Sequence, residues 1–137
     1  MKTEIELTLF KNDKNISKKE VLSAFEILMD DEDNPLPEEW FSFWNGNAGL
    51  DIPWNSKVNV TIESVFKNIP LKFNFIISLN KTNDNLSKID KYGAFEIMLY
   101  DKTNLLPEEF INFTSLEAGD DIPWNSKTKI ILKLIID

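Results

Sequence analysis

Asp51-Ile52-Pro53-Trp54-Asn55-Ser56-Lys57 returns unchanged seventy positions later as Asp121-Ile122-Pro123-Trp124-Asn125-Ser126-Lys127. Working outward from this block, residues 3–66 align with 73–136 without gaps, giving 25 identities in 64 pairs. Ala24-Phe25-Glu26-Ile27 matches Ala94-Phe95-Glu96-Ile97, and Leu36-Pro37-Glu38-Glu39 matches Leu106-Pro107-Glu108-Glu109. A long unit repeated only twice is not a solenoid, which needs shorter units and at least three of them. The 137 residues therefore read as one domain of two homologous repeats, 3–66 and 73–136, related by a pseudo-two-fold axis. The joint at 67–71 is too short to let the halves separate.

Period-two alternation is the clearest local signal in each copy. Ile5, Leu7 and Leu9 alternate with polar residues, as do Val58, Val60 and Ile62. Their counterparts, Phe75 to Leu79 and Ile130 to Ile136, form denser apolar runs, which predicts strands covered on both faces and places repeat 2 nearer the centre of the fold. Ser17-Lys18-Lys19-Glu20 and Ser87-Lys88-Ile89-Asp90 resemble helix-starting capping boxes. Leu22, Phe25 and Met29 would share a helical face, as would Ile89, Tyr92, Phe95 and Leu99. Yet Phe25-Ile27-Met29 and Phe95-Ile97-Leu99 also alternate as strands do. A helical turn leading into strands at 24–30 and 94–100, with further strands at 40–44 and 110–114, predicts four strands per repeat. That makes a mainly β fold, an eight-stranded sandwich; an α+β layer with one helix per repeat is the alternative.

Composition excludes whole classes of chemistry. The chain has no His and no Cys, so it lacks an imidazole shuttle, a thiolate nucleophile and the usual zinc ligands. Its four glycines form no phosphate loop. The net charge of −8 repels nucleic-acid backbones, and all fifteen cationic residues are Lys, so no Arg offers a bidentate fork to phosphate. Apolar runs are too short to span a bilayer, and Met1 to Glu6 carries no apolar leader region. These features predict a cytoplasmic protein with no cofactor, no metal, no direct nucleic acid and no membrane partner.

The charge is uneven: residues 1–70 carry −6 and residues 71–137 carry −2. Asp30-Asp31-Glu32-Asp33 is the densest acidic run, and repeat 2 replaces it with Tyr100-Asp101-Lys102-Thr103. Its spacing fits no calcium loop, so a solvated turn or an electrostatic docking patch is the better reading. Nearby, Trp40-Phe41-Ser42-Phe43-Trp44 stands where repeat 2 has Phe110-Ile111-Asn112-Phe113-Thr114, which makes Trp44 a surplus aromatic of the kind that anchors interfaces. Asp30, Asp31, Glu32, Asp33, Trp40 and Trp44 are thus the candidate partner-binding residues.

These features point to a non-catalytic acidic protein-binding module, an inhibitor or immunity-type protein that occupies a basic surface on a partner such as a nuclease toxin. Monomer and homodimer are both compatible with this. A small-ligand or carbohydrate-binding sandwich is the alternative, with Trp54, Trp124, Asp51 and Asp121 as duplicated sites; the same block also reads as a structural corner. A structural subunit with a pairing edge strand is a third reading. Carboxylate catalysis, with Glu38 or Glu108 as acid and Asp51 or Asp121 as base, ranks last, because acids after a helix-starting Pro have a sufficient structural reason.

Overall fold

The computed structural model describes residues 2–65 and 71–136, the side chain of Val65 excepted. The joint expected at 67–71 falls, apart from Leu71, outside the described residues. Chain order is β1 (Lys2–Thr8), α1 (Asp13–Lys18), α2 (Ala24–Asp30), α3 (Glu38–Trp44), β2 (Lys57–Val65), β3 (Lys72–Ser78), α4 (Asn83–Lys88), α5 (Ala94–Tyr100), α6 (Glu108–Thr114) and β4 (Lys127–Ile135). The four strands form one antiparallel sheet in the order β1-β4-β2-β3. Among the described residues, six short helices cover one of its faces.

The expected eight-stranded sandwich is therefore wrong. Residues 24–30, 94–100, 40–44 and 110–114 are helices, not strands. A helix layer on a sheet is closer to the alternative, but with three helices per repeat instead of one. The expected capping boxes at Ser17 and Ser87 also fall at the wrong end, in the last turns of α1 and α4. Those helices start from Asn12 and Thr82, whose side chains accept from the N–H of Asn15 and Asn85. The side-chain cap of α2 is Ser23, whose Oγ accepts from Glu26 N–H at 3.3 Å and donates to Glu26 Oε1 at 3.2 Å.

Register fixes the symmetry. Thr61 pairs with Ile131 across β2 and β4, and these two residues are equivalent in the repeat alignment, so the pseudo-two-fold axis passes between them. The repeats are interleaved. β1 of the first repeat pairs with β4 of the second, and β3 of the second pairs with β2 of the first. Each repeat contributes one central and one edge strand, which corrects the expectation that repeat 2 is the more central.

One face of every strand is buried: Ile5 and Leu7, then Val58, Val60 and Ile62, then Phe75 and Ile77, then Ile130 and Leu132. They meet Ala24, Ile27, Leu28, Trp40 and Phe43 from the helices, with Ala94, Phe95, Ile97, Met98 and Phe113. The opposite face is open to solvent. Ile76 there is 53% exposed, so β3 is covered on one face only, against expectation. The open face bears Lys2, Lys57, Lys72, Lys127, Lys129 and Lys133 against Glu4, Glu6 and Glu63. It is net positive by three, and the rest of the chain therefore carries −11. Lys127–Glu6 and Lys129–Glu4 pair across it at 3.8 and 3.5 Å. Among the described residues no helix is long and apolar enough to cross a membrane.

Candidate functional site

The repeated Asp-Ile-Pro-Trp-Asn-Ser-Lys block is built as a corner that ties the two repeats together. Asn55 and Asn125 take φ of 69° and 70°, a left-handed conformation that Asn tolerates better than most residues. The turn lets Asn55 N–H donate to Leu79 O and Leu79 N–H to Ser56 O, extending the β2–β3 pairing; Asn125, Leu9 and Ser126 do the same for β1 and β4. Asp51 Oδ2 accepts from Asn47 N–H at 2.8 Å, and Asp121 Oδ2 from Glu117 N–H at 2.9 Å. Trp54 and Trp124 are half-buried and pack their indole edges on Gly49 and Gly119. Both glycines have φ of 85°, and a Cβ at either would lie 2.6 Å from the indole Nε1. The two carboxylates and two Trp of the ligand-site alternative thus have structural work in the corner.

The acidic run divides. Asp31 turns inward, its Oδ2 accepting from Asn15 Nδ2 at 2.9 Å and its Oδ1 from Asp33 N–H at 3.0 Å. Asp33 accepts from Asn12 Nδ2 at 3.2 Å, and Glu32 pairs with Lys14 at 3.4 Å across an exposed surface. These contacts hold α1 against the turn after α2. Asn34 completes the arrangement: its Oδ1 accepts from Thr8 N–H, and its Nδ2 donates to Thr8 O and Leu28 O. Repeat 2 builds the same device from Asn85, Asp101 and Asn104. These pairs are identities in the repeat alignment, a signal overlooked in favour of the charge run. Among the described residues no group of acids converges to hold a metal.

Asp30 points elsewhere. It lines a groove of about 460 Å³ between α2 and α3 together with Trp40, Trp44 and four residues that sequence reasoning missed as a set: Phe25, Glu26, Phe41 and Tyr100. Met29 and Leu36 complete it. Helical spacing explains the gathering: Trp40, Phe41 and Trp44 lie on adjoining faces of α3, while Glu26 and Asp30 stand one turn apart on α2. Trp40 and Trp44 stack with centroids 5.8 Å apart, and Trp44 leans on Phe95 at 5.1 Å. Trp40 is buried at 3% exposure, whereas Phe41 and Tyr100 are 49% and 63% exposed. Asp30 and Tyr100 are equivalent positions of the two repeats, and Tyr100 is the one lining residue that repeat 2 contributes among the described residues.

The predicted partner-binding set is thus only partly brought together. Asp30, Trp40 and Trp44 share the groove, Trp40 as its floor and the other two at its surface. Asp31 and Asp33 belong to the turn that braces α1, and Glu32 lies on that turn. Comparisons with family models, with characterised proteins and with solved structures find no match for this chain.

Proposed function

We propose that the chain is a non-catalytic, acidic protein-binding module that occupies a basic surface of its partner, in the manner of an inhibitor or immunity protein directed at an enzyme with a basic cleft. The observation that carries this is the groove itself, an aromatic depression rimmed by carboxylates on the acidic side of a charge-segregated molecule. Large aromatics supply contact area at low entropic cost, and concentrated charge accelerates encounter with an oppositely charged surface. Nucleic acid and membrane are not partners in this reading, since carboxylates around the groove would repel phosphate.

Affinity capture from the native cells at low ionic strength tests the proposal. The wild-type chain should retain one stoichiometric basic protein, releasable by salt, and an Asp30→Asn, Glu32→Gln, Asp33→Asn variant should retain much less of it. Asp31 is left intact because both its oxygens are engaged in the turn, whereas Asn at 33 can still accept from Asn12 and the exposed Lys14–Glu32 pair adds little stability. Equal recovery by both chains would remove the charge argument.

A further inference from the structure

The groove between α2 and α3 has the chemistry of a receptor for one planar cation, and we infer that it takes an arginine side chain of the basic partner; this rests on the protein-binding reading above. Three features support it. The exposed walls are the aromatic rings of Phe41 and Tyr100, onto which a guanidinium stacks by cation–π attraction, and the half-buried Trp44 lines the groove beside them. Two carboxylates, Glu26 and Asp30, stand on the rim, and among the described residues no lysine lines the groove. Among the described residues neither carboxylate is in an ion pair, and the capping hydrogen bond from Ser23 engages only Oε1 of Glu26. Asp30 is also the last residue of α2, where the carbonyl end of the helix already carries partial negative charge. An acid there adds to the field a cation would feel, at some expense to the helix.

The duplication acts as an internal control. Phe25 and Glu26 have identical counterparts in Phe95 and Glu96, which are part of the shared scaffold. Met29 and Trp40 are replaced in kind, by Leu99 and Phe110; the groove-specific residues are those that change chemical character, Asp30, Phe41 and Trp44, which stand where repeat 2 has Tyr100, Ile111 and Thr114. In repeat 1 the three changes together supply a carboxylate and two aromatic walls. Trp44 is held in place by its contacts with Trp40 and Phe95, so this part of the groove wall is fixed before a ligand arrives. The groove is an open channel and not a closed cage, which suits an arginine presented on a protein surface.

The test uses the whole chain labelled with ¹⁵N and follows its four Trp indole N–H signals, the Trp44 signal being assigned with Trp44→Phe. Two probes are compared: acetyl-Gly-Arg-Gly-amide and its neutral citrulline counterpart. The arginine probe should shift the Trp44 signal with a dissociation constant on the order of 1–10 mM and leave Trp54 and Trp124 unmoved. The citrulline probe should bind about tenfold more weakly, and a Glu26→Gln, Asp30→Asn variant should lose a similar factor for arginine. That variant keeps the Ser23 cap and relieves a helix end, so its thermal midpoint should match or exceed wild type. Equal shifts from both probes, shifts centred on Trp54 and Trp124, or no Trp44 response at about 50 mM probe would each overturn the arginine site. A captured partner that binds this variant as tightly as wild type would overturn it too, while leaving the protein-binding reading intact. Probe binding at Trp44 with no partner recovered would do the reverse.

Discussion

At Asp101 burial opposes ionisation, yet hydrogen bonds outweigh it. The N–H of Thr103, Asn85 Nδ2, the Thr103 hydroxyl and Asn80 Nδ2 all donate to the carboxylate, at 3.0, 3.0, 2.9 and 3.3 Å, and hold its pKa below the ordinary value. A carboxyl whose folded pKa is depressed adds stability above its unfolded pKa of about 3.9 and gives it up as pH falls through the lower folded value. Asp101→Asn should therefore cost about 1–3 kcal/mol at neutral pH, and the deficit should shrink as pH falls below about 4. Urea midpoints at pH 7 and pH 3 check this. The residues of this device were legible as repeat identities, Asn15 with Asn85 and Asp31 with Asp101. Their role was not, because reading 30–33 as one block of charge conceals that Asp31 faces inward while Asp30 faces the groove.

The strands were legible because β1 and β2 have one buried and one solvated face, so alternation survives in their sequences. The helices were not. In α2, Ala24, Ile27 and Leu28 are buried in the core while Phe25 and Met29 line the groove. With two apolar faces on a seven-residue segment, the polar stripe shrinks to Glu26 and Asp30, too little to mark a period of 3.6, and every second residue then looks like a strand position. The central strand pair carries a different imperfection. Ser64 and Thr128 face each other across β2 and β4, and neither hydroxyl has a hydrogen-bond partner among the described residues. By the two-fold relation the corresponding pair is Leu134 and Val58, which is fully apolar. Thr128→Val copies the other repeat at nearly constant shape, and removing an unpaired buried hydroxyl should raise stability by about 1 kcal/mol. An unchanged or lower thermal midpoint would mean that the hydroxyl is satisfied in solution.

Across the whole molecule, interleaving makes the repeats interdependent, because β1 and β2 are separated by β4 and never pair with each other. Residues 1–70 expressed alone should be unfolded or self-associated, and the full chain should unfold in one cooperative transition, as calorimetry would show. The same architecture separates charge, with the lysine-bearing face of the sheet turned away from the acidic helices. That separation was invisible in the sequence, where the imbalance appeared only as a difference between halves. Association kinetics with the captured partner locate the binding face, by comparing Asp30→Asn, Glu32→Gln, Asp33→Asn with Lys129→Gln, Lys133→Gln over a range of salt. If the helix layer is the binding face, the first variant should associate about tenfold more slowly at low salt, with a flattened salt dependence, and the second should resemble wild type. The reverse pattern, with slow association only after the lysines are removed, would place the partner on the open sheet and rule out the helix layer as the binding face.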